Sequence, residues 1–186
     1  MDTWVNFYQP HFANADQSIE FVRNLESQKP GDKKYRAMIM MHQAQRLVSL
    51  ADEIAKIRPG KYSLQIMFLI ICAENISKHF EKFDEEGKSK YFVRKFFTSF
   101  TSDVDKKTLE FSFKKPDYSN STIDEIAEYL YTVRCDVVHE GKYWGFQLKE
   151  DIPMMNIDPD VNVHISYSEL RNIIIRNCIT DIQQFS

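Results

Sequence analysis

Apolar residues recur along this chain mostly at helical spacing, separated by a few sharp breaks, and the pattern predicts an all-α fold. Residues 15–27 form a first short helix with Ile19, Val22 and Leu25 on one face, and Pro30-Gly31 interrupts it. Asp32 then caps a long helix reaching Ile57, with Tyr35, Met38, Ile39, Leu47, Leu50, Ile54 and Ile57 at helical spacing. The Arg58-Pro59-Gly60 turn stops that helix and sends the chain back antiparallel to it. The returning helix, Tyr62 to Phe80, is apolar nearly all round at its centre, so it belongs in the middle of the domain.

Further along, Ser89 to Phe100 reads as a shorter helix, aromatic-rich and basic. Residues 101–120 look irregular, with a weak alternation from Thr108 to Phe113 that suggests a short strand. Thr122-x-x-Glu125 is a capping-box pattern, and a helix is expected from there to His139 or Glu140, stopped by Gly141. After a loop, Val161 to Ser166 suggests a second small strand, and Ser166-x-x-Glu169 opens a last helix with Ile173, Ile174 and Ile182 inward. The expected whole is one domain over residues 1–186, a helical bundle with one minor β-hairpin and residues 1–30 as a peripheral extension. No internal repeat or linker divides it.

Composition adds little to this and removes several alternatives. Hydrophobic residues make up 43% and charged residues 27%, as in an ordinary folded domain rather than a disordered chain. Five Gly and six Pro are few for a turn-rich β fold. Cys72, Cys135 and Cys178 are odd in number and carry no CxxC, which argues against a disulfide framework or a thiolate zinc site and points to a reducing, cytoplasmic setting. His11, His42, His79 and His164 have no acid or Cys at ligand spacing, so no metal or other cofactor is expected. The longest apolar run, Ile66 to Ala73, is far too short to span a bilayer, so no membrane partner is expected either.

Net charge is −3, but its distribution is uneven: residues 1–77 carry +1, residues 78–115 carry +3, and residues 116–186 carry −7. The middle stretch, with Lys90, Arg94 and Lys95, is therefore where phosphate contacts are expected, and its commoner reading is a solvated helix face. Tyr91, Phe92, Phe96, Phe97 and Phe100 lie beside those cations and offer stacking surfaces for bases, although such a cluster is more often core.

The segment richest in chemistry is Tyr129-Leu-Tyr-Thr-Val-Arg134-Cys-Asp-Val-Val-His139-Glu-Gly141. On a helix, Arg134 sits at the border of the stripe Ile123, Ala127, Leu130 and Val138, where a guanidinium needs a partner. His139 lies about 140° round and about 7.5 Å along the axis, close enough for two long side chains to converge on one phosphate. Cys135 and His139 are one turn apart and share a face. Arg-x4-His followed by Glu-Gly at a helix end resembles the motif of HEPN domains, and VRCDVVHEG is similar to the version in Apea-like HEPN proteins. The central helix Phe68-Leu-Ile-Ile-Cys-Ala-Glu74 resembles the family's hydrophobic helix. Where the family commonly carries Asn or another polar group after the Arg, this chain has Cys135, with Asp136 supplying polarity on another side of the helix.

The resemblance implies a helical bundle that pairs across a two-fold axis and cleaves RNA without metal, used as a toxin or defence effector. It implies RNA as substrate, a homodimer, and an antitoxin or operon partner. It also implies Arg134 as phosphate stabiliser and His139 as general acid and base. Those roles suit the residue types: histidine titrates near neutrality, and arginine stays cationic and grips phosphate oxygens in pairs. Glu74, in the central helix, is placed to orient Arg134. Bland readings stand beside these: Arg134 as a structural ion-pair partner of Glu74, His139 as a cation favoured at a helix C-terminus, and Cys135 as a small packed residue. A non-catalytic HEPN module that binds RNA or nucleotide, or a helical interaction and dimerisation domain, is the alternative function.

Overall fold

The structure is a computed structural model that describes residues 2–32, 34–81, 87–142, 148 and 161–185. Helices make up 76% of the described residues, and the only sheet among them has two short antiparallel strands. In chain order the elements are α1 (Asp2–Tyr8), a 3-10 turn (Gln9–His11), α2 (Ala15–Glu26), α3 (Tyr35–Ile57), α4 (Tyr62–Phe80) and α5 (Ser89–Ser99). They continue with α6 (Asp103–Ser112), β1 (Phe113–Lys114), α7 (Ile123–Glu140), β2 (Asn162–Val163) and α8 (Tyr167–Phe185). The protein is thus an all-α bundle with a minor sheet. The loop expected between Gly141 and Val161 lies, apart from Lys142 and Leu148, outside the described residues.

The apolar helix α4 sits at the centre and packs against α3, α5, α7 and α8. Leu69 and Ile70 are fully buried, and Phe68 and Ile71 pack on the same core. Removing one such side chain from water is worth roughly 1.5–3 kcal/mol, so the apolar run is what draws four helices around it. Contacts at Tyr62–Tyr167, Cys72–Cys178 and Phe80–Phe185 keep a nearly constant offset, which makes α4 and α8 parallel neighbours. By contrast, Lys90 pairs with Glu128 and Arg94 with Asp124, the descending register of an antiparallel α5–α7 pair.

Two expectations, the Asp32 cap and the strand from Thr108, need correction. Helix α3 buries Ala37, Met40, Met41, Ala44, Leu47, Val48 and Ala51, whereas Leu50 is 42% and Ile57 70% exposed. The buried positions recur every three to four residues from Ala37 to Ala51, a single seam in which alanines alternate with Met40, Met41, Leu47 and Val48. Asp32 does not cap α3; its carboxylate accepts from the Lys29 N–H at 2.6 Å and closes its own loop. Thr108 to Ser112 is helical, not strand, because Ser102 caps α6 by accepting from the Asp105 N–H. Leu109 and Phe113 are both fully buried four residues apart, and the exposed Phe111 between them mimicked alternation. The strand begins only at Phe113, which pairs with Val163.

Within residues 1–30, α1 and α2 contribute Tyr8, Phe21, Val22 and Leu25 to the common core. The buried Tyr8 hydroxyl donates to the Met41 carbonyl at 2.7 Å, tying α1 to α3. The α7 boundaries follow the sequence signals: Thr122 and Glu125 form a full capping box, and Gly141 ends the helix at φ 63°, a conformation that favours glycine.

Candidate functional site

Helix α7 buries Ile126, Ala127, Leu130 and Val133, and this anchored face aims the next residue, Arg134, toward α4. There the Arg134 Nη2 meets Glu74 Oε2 at 3.3 Å, with only 17% and 14% of the two side chains exposed. The other carboxylate oxygen of Glu74 accepts from the Ser89 hydroxyl at 2.7 Å, at the start of α5. Three helices therefore converge on one carboxylate. The guanidinium also lies 5.9 Å from the Tyr131 ring, within cation–π range. Its Nε is buried and has no hydrogen-bond partner among the described residues.

Tyr131 and Cys135, one turn apart, share a hydrogen bond; that bond and partial burial raise the Tyr131 phenol above its usual range. Cys135 and Asp136 are half-buried, while Val138 and His139 are exposed at the end of α7. The Asp136 backbone carbonyl accepts from the N–H groups of Gly141 and Lys142, fixing the helix end beside His139. Glu74, expected from the sequence as an orienting acid, is thus in contact with Arg134. Ser89 was not expected, and nothing in its sequence context marks it.

The cations Lys90, Arg94 and Lys95 are each engaged by acids. Lys90 meets Glu128, Arg94 meets Asp124, and Lys95 meets Glu81 while lying 5.4 Å over the Phe80 ring. This face of α5 is therefore a row of ion pairs rather than a free positive field. Phe92, Phe96, Phe97 and Phe100 are core, so of the aromatic cluster only Tyr91, at 49%, is exposed for stacking. Among the described residues no group of three or more His, Cys, Asp or Glu is placed to hold a metal ion. No helix among them is long and apolar enough to cross a membrane. A groove of about 430 Å³, floored by Phe12, Phe21 and Leu25 and rimmed by Glu20 and Lys34, includes none of the residues above.

Compared with protein-family models, curated proteins and solved structures, the chain matches none. The fold and these side chains alone define it, as an all-α bundle in which α7 carries an arginine paired with a carboxylate and, five residues later, an exposed histidine.

Proposed function

We propose that this protein is a HEPN-type, metal-independent endoribonuclease working as a homodimer, in which Arg134 and His139 of two copies line one basic cleft. The observation that carries the reading is the Arg134–Glu74–Ser89 cluster at 3.3 and 2.7 Å, which fixes an arginine on α7 five residues before an exposed histidine. In the reaction one histidine takes the proton of the ribose 2′-OH, whose oxygen attacks the adjacent phosphorus. The 5′-oxygen leaves with a proton from a second histidine, giving a 2′,3′-cyclic phosphate. The guanidinium stabilises the charge gathering on the phosphorane oxygens. A single chain supplies one such arginine and one such histidine, and an isologous pair supplies two of each without new sequence. A role as toxin or defence effector, restrained by an antitoxin-like partner, fits an enzyme of this kind.

A second reading has its own support. The partial burial of the Arg134–Glu74 pair, together with Cys135 where the family commonly has a polar residue, suits a non-catalytic module that binds RNA or nucleotide. Incubation of the purified protein with mixed RNA in EDTA separates the two. Fragments ending in cyclic phosphate or 3′-phosphate support the ribonuclease, and intact RNA supports the module.

Charge reversal on α5 tests where RNA lies. Exposed ion pairs are worth little, so phosphates can displace Glu128 and Asp124 from Lys90 and Arg94. The Lys90→Glu/Arg94→Glu/Lys95→Glu variant is expected to weaken RNA affinity and to lower the slope of log K against log salt by about 2, at roughly 0.7 per lost contact. An unchanged slope in a binding titration places the phosphate contacts at Arg134 instead.

A further inference from the structure

We propose that Cys72 of α4 and Cys178 of α8 form a reversible disulfide that staples these two parallel helices together, making the pair a peroxide-sensitive modification site. The two Sγ atoms are 3.8 Å apart, and both residues are fully buried in the α4–α8 seam. A disulfide needs about 2.05 Å. The gap closes by less than 2 Å, within reach of side-chain rotation and a small helix shift. The third cysteine, Cys135, sits on α7 and is only half-buried, so the buried pair is chemically separate from it.

The environment sets the rate. Burial pushes the Cys178 thiol well above its usual range, with Cys72 and the nearby Asp181 carboxylate adding to the effect. Cys178 forms little thiolate while the seam is closed, and both thiols are shut off from solvent, so oxidation proceeds through transient local opening and favours a small oxidant. With hydrogen peroxide the balance is simple. One thiolate attacks a peroxide oxygen, giving the sulfenic acid and hydroxide, which takes up a proton to become water. The second thiol then loses its proton and attacks the sulfenic sulfur, forming the S–S bond and releasing a second water. A dithiol reductant reverses the step.

The bond closes a loop across 106 positions of sequence and restrains the unfolded chain accordingly. Cys72 also lies two residues before Glu74, so the staple fixes the stretch of α4 that clamps Arg134. The proposal itself stands on the dithiol geometry and does not depend on ribonuclease activity.

The test uses the full chain carrying Cys135→Ser, so that only the buried pair remains. After exposure to hydrogen peroxide and alkylation in denaturant, intact mass should show the loss of two hydrogens and no alkylated thiol. The melting temperature should rise by roughly 5–15 °C and return to its starting value after dithiothreitol. Cys178→Ser in the same background should show neither change. Two alkylated thiols after peroxide treatment, or oxygen adducts in place of the disulfide, would overturn the proposal.

Discussion

The Asp181→Asn variant is expected to melt roughly 10 °C above the native protein at pH 8 and close to it at pH 4, a difference set by one buried carboxyl. Asp181 lies on the inward face of α8, fully buried, and neither of its oxygens has a hydrogen-bond partner among the described residues. Desolvation pushes its carboxyl up to about 8, with Lys95 of α5 pulling in the opposite direction; Cys178 faces it on its own helix, and Cys72 of α4 faces Cys178. The folded chain therefore holds this proton more tightly than the unfolded chain, whose aspartate titrates near 3.8. Stability from the group is full below about pH 4, falls as pH rises toward 8, and levels off beyond it. Four pKa units correspond to on the order of 5 kcal/mol, a large share of what holds a domain together.

Asparagine keeps the shape and removes the titration. His11, lowered to about 4 by burial and then by Arg176 and Arg171, and His42, lowered by burial, work the other way. Their stability is present above about 6.5 and lost as pH falls, and it is common to both proteins, so the difference between variants isolates Asp181. Parallel pH profiles of the melting temperature would show that the carboxyl is ionised and solvated in the native state.

Much of this arrangement was legible in the amino-acid order. The apolar run at Ile66–Ala73 marked the central helix, because no surface helix tolerates that run, and the Thr122–Glu125 box with Gly141 set both ends of α7. The pairing of Glu74 with Arg134 was readable too, since a guanidinium on an apolar border requires an acid and the central helix offers one. Other features depend on tertiary choices that local pattern does not encode. The face of α3 that turns inward includes Ala37, Ala44 and Ala51 and leaves Leu50 and Ile57 exposed, although hydrophobicity alone ranks the latter two higher. Helix α6 buries only Asp105, Leu109 and Ser112, and Asp105 is held by a two-point ion pair with Arg176, far away in sequence. Lys90 and Arg94 read as a basic patch because their counter-charges on α7 come 38 and 30 residues later. Asp181 left a readable signal: it falls on the inward stripe of Ile174, Cys178 and Phe185, where an acid has no place unless it is neutral or functional.

Loss of Arg134 or His139 should have the largest effect on activity, because the proposed mechanism gives the two different parts of one step. His139 is exposed, so His139→Ala is expected to leave stability within about 0.5 kcal/mol of native while removing proton transfer. Arg134→Ala removes the phosphate clamp but also strands Glu74, which then keeps Ser89 as a neutral donor. Breaking a pair this buried costs roughly 3 kcal/mol, so folding suffers along with catalysis. Arg134→Lys resolves that ambiguity: the ammonium retains the charge opposite Glu74 but cannot span two phosphate oxygens.

The most direct measurement is the initial rate of RNA cleavage in EDTA for the native protein, Arg134→Lys, Arg134→Ala and His139→Ala, with the 3′ ends of the fragments identified. The native protein should cleave and leave cyclic phosphate or 3′-phosphate ends, and each variant should lose at least about 100-fold in rate. Native protein that leaves RNA intact, or cleavage that persists equally in all four proteins, would contradict the assignment of Arg134 and His139 as a ribonuclease site.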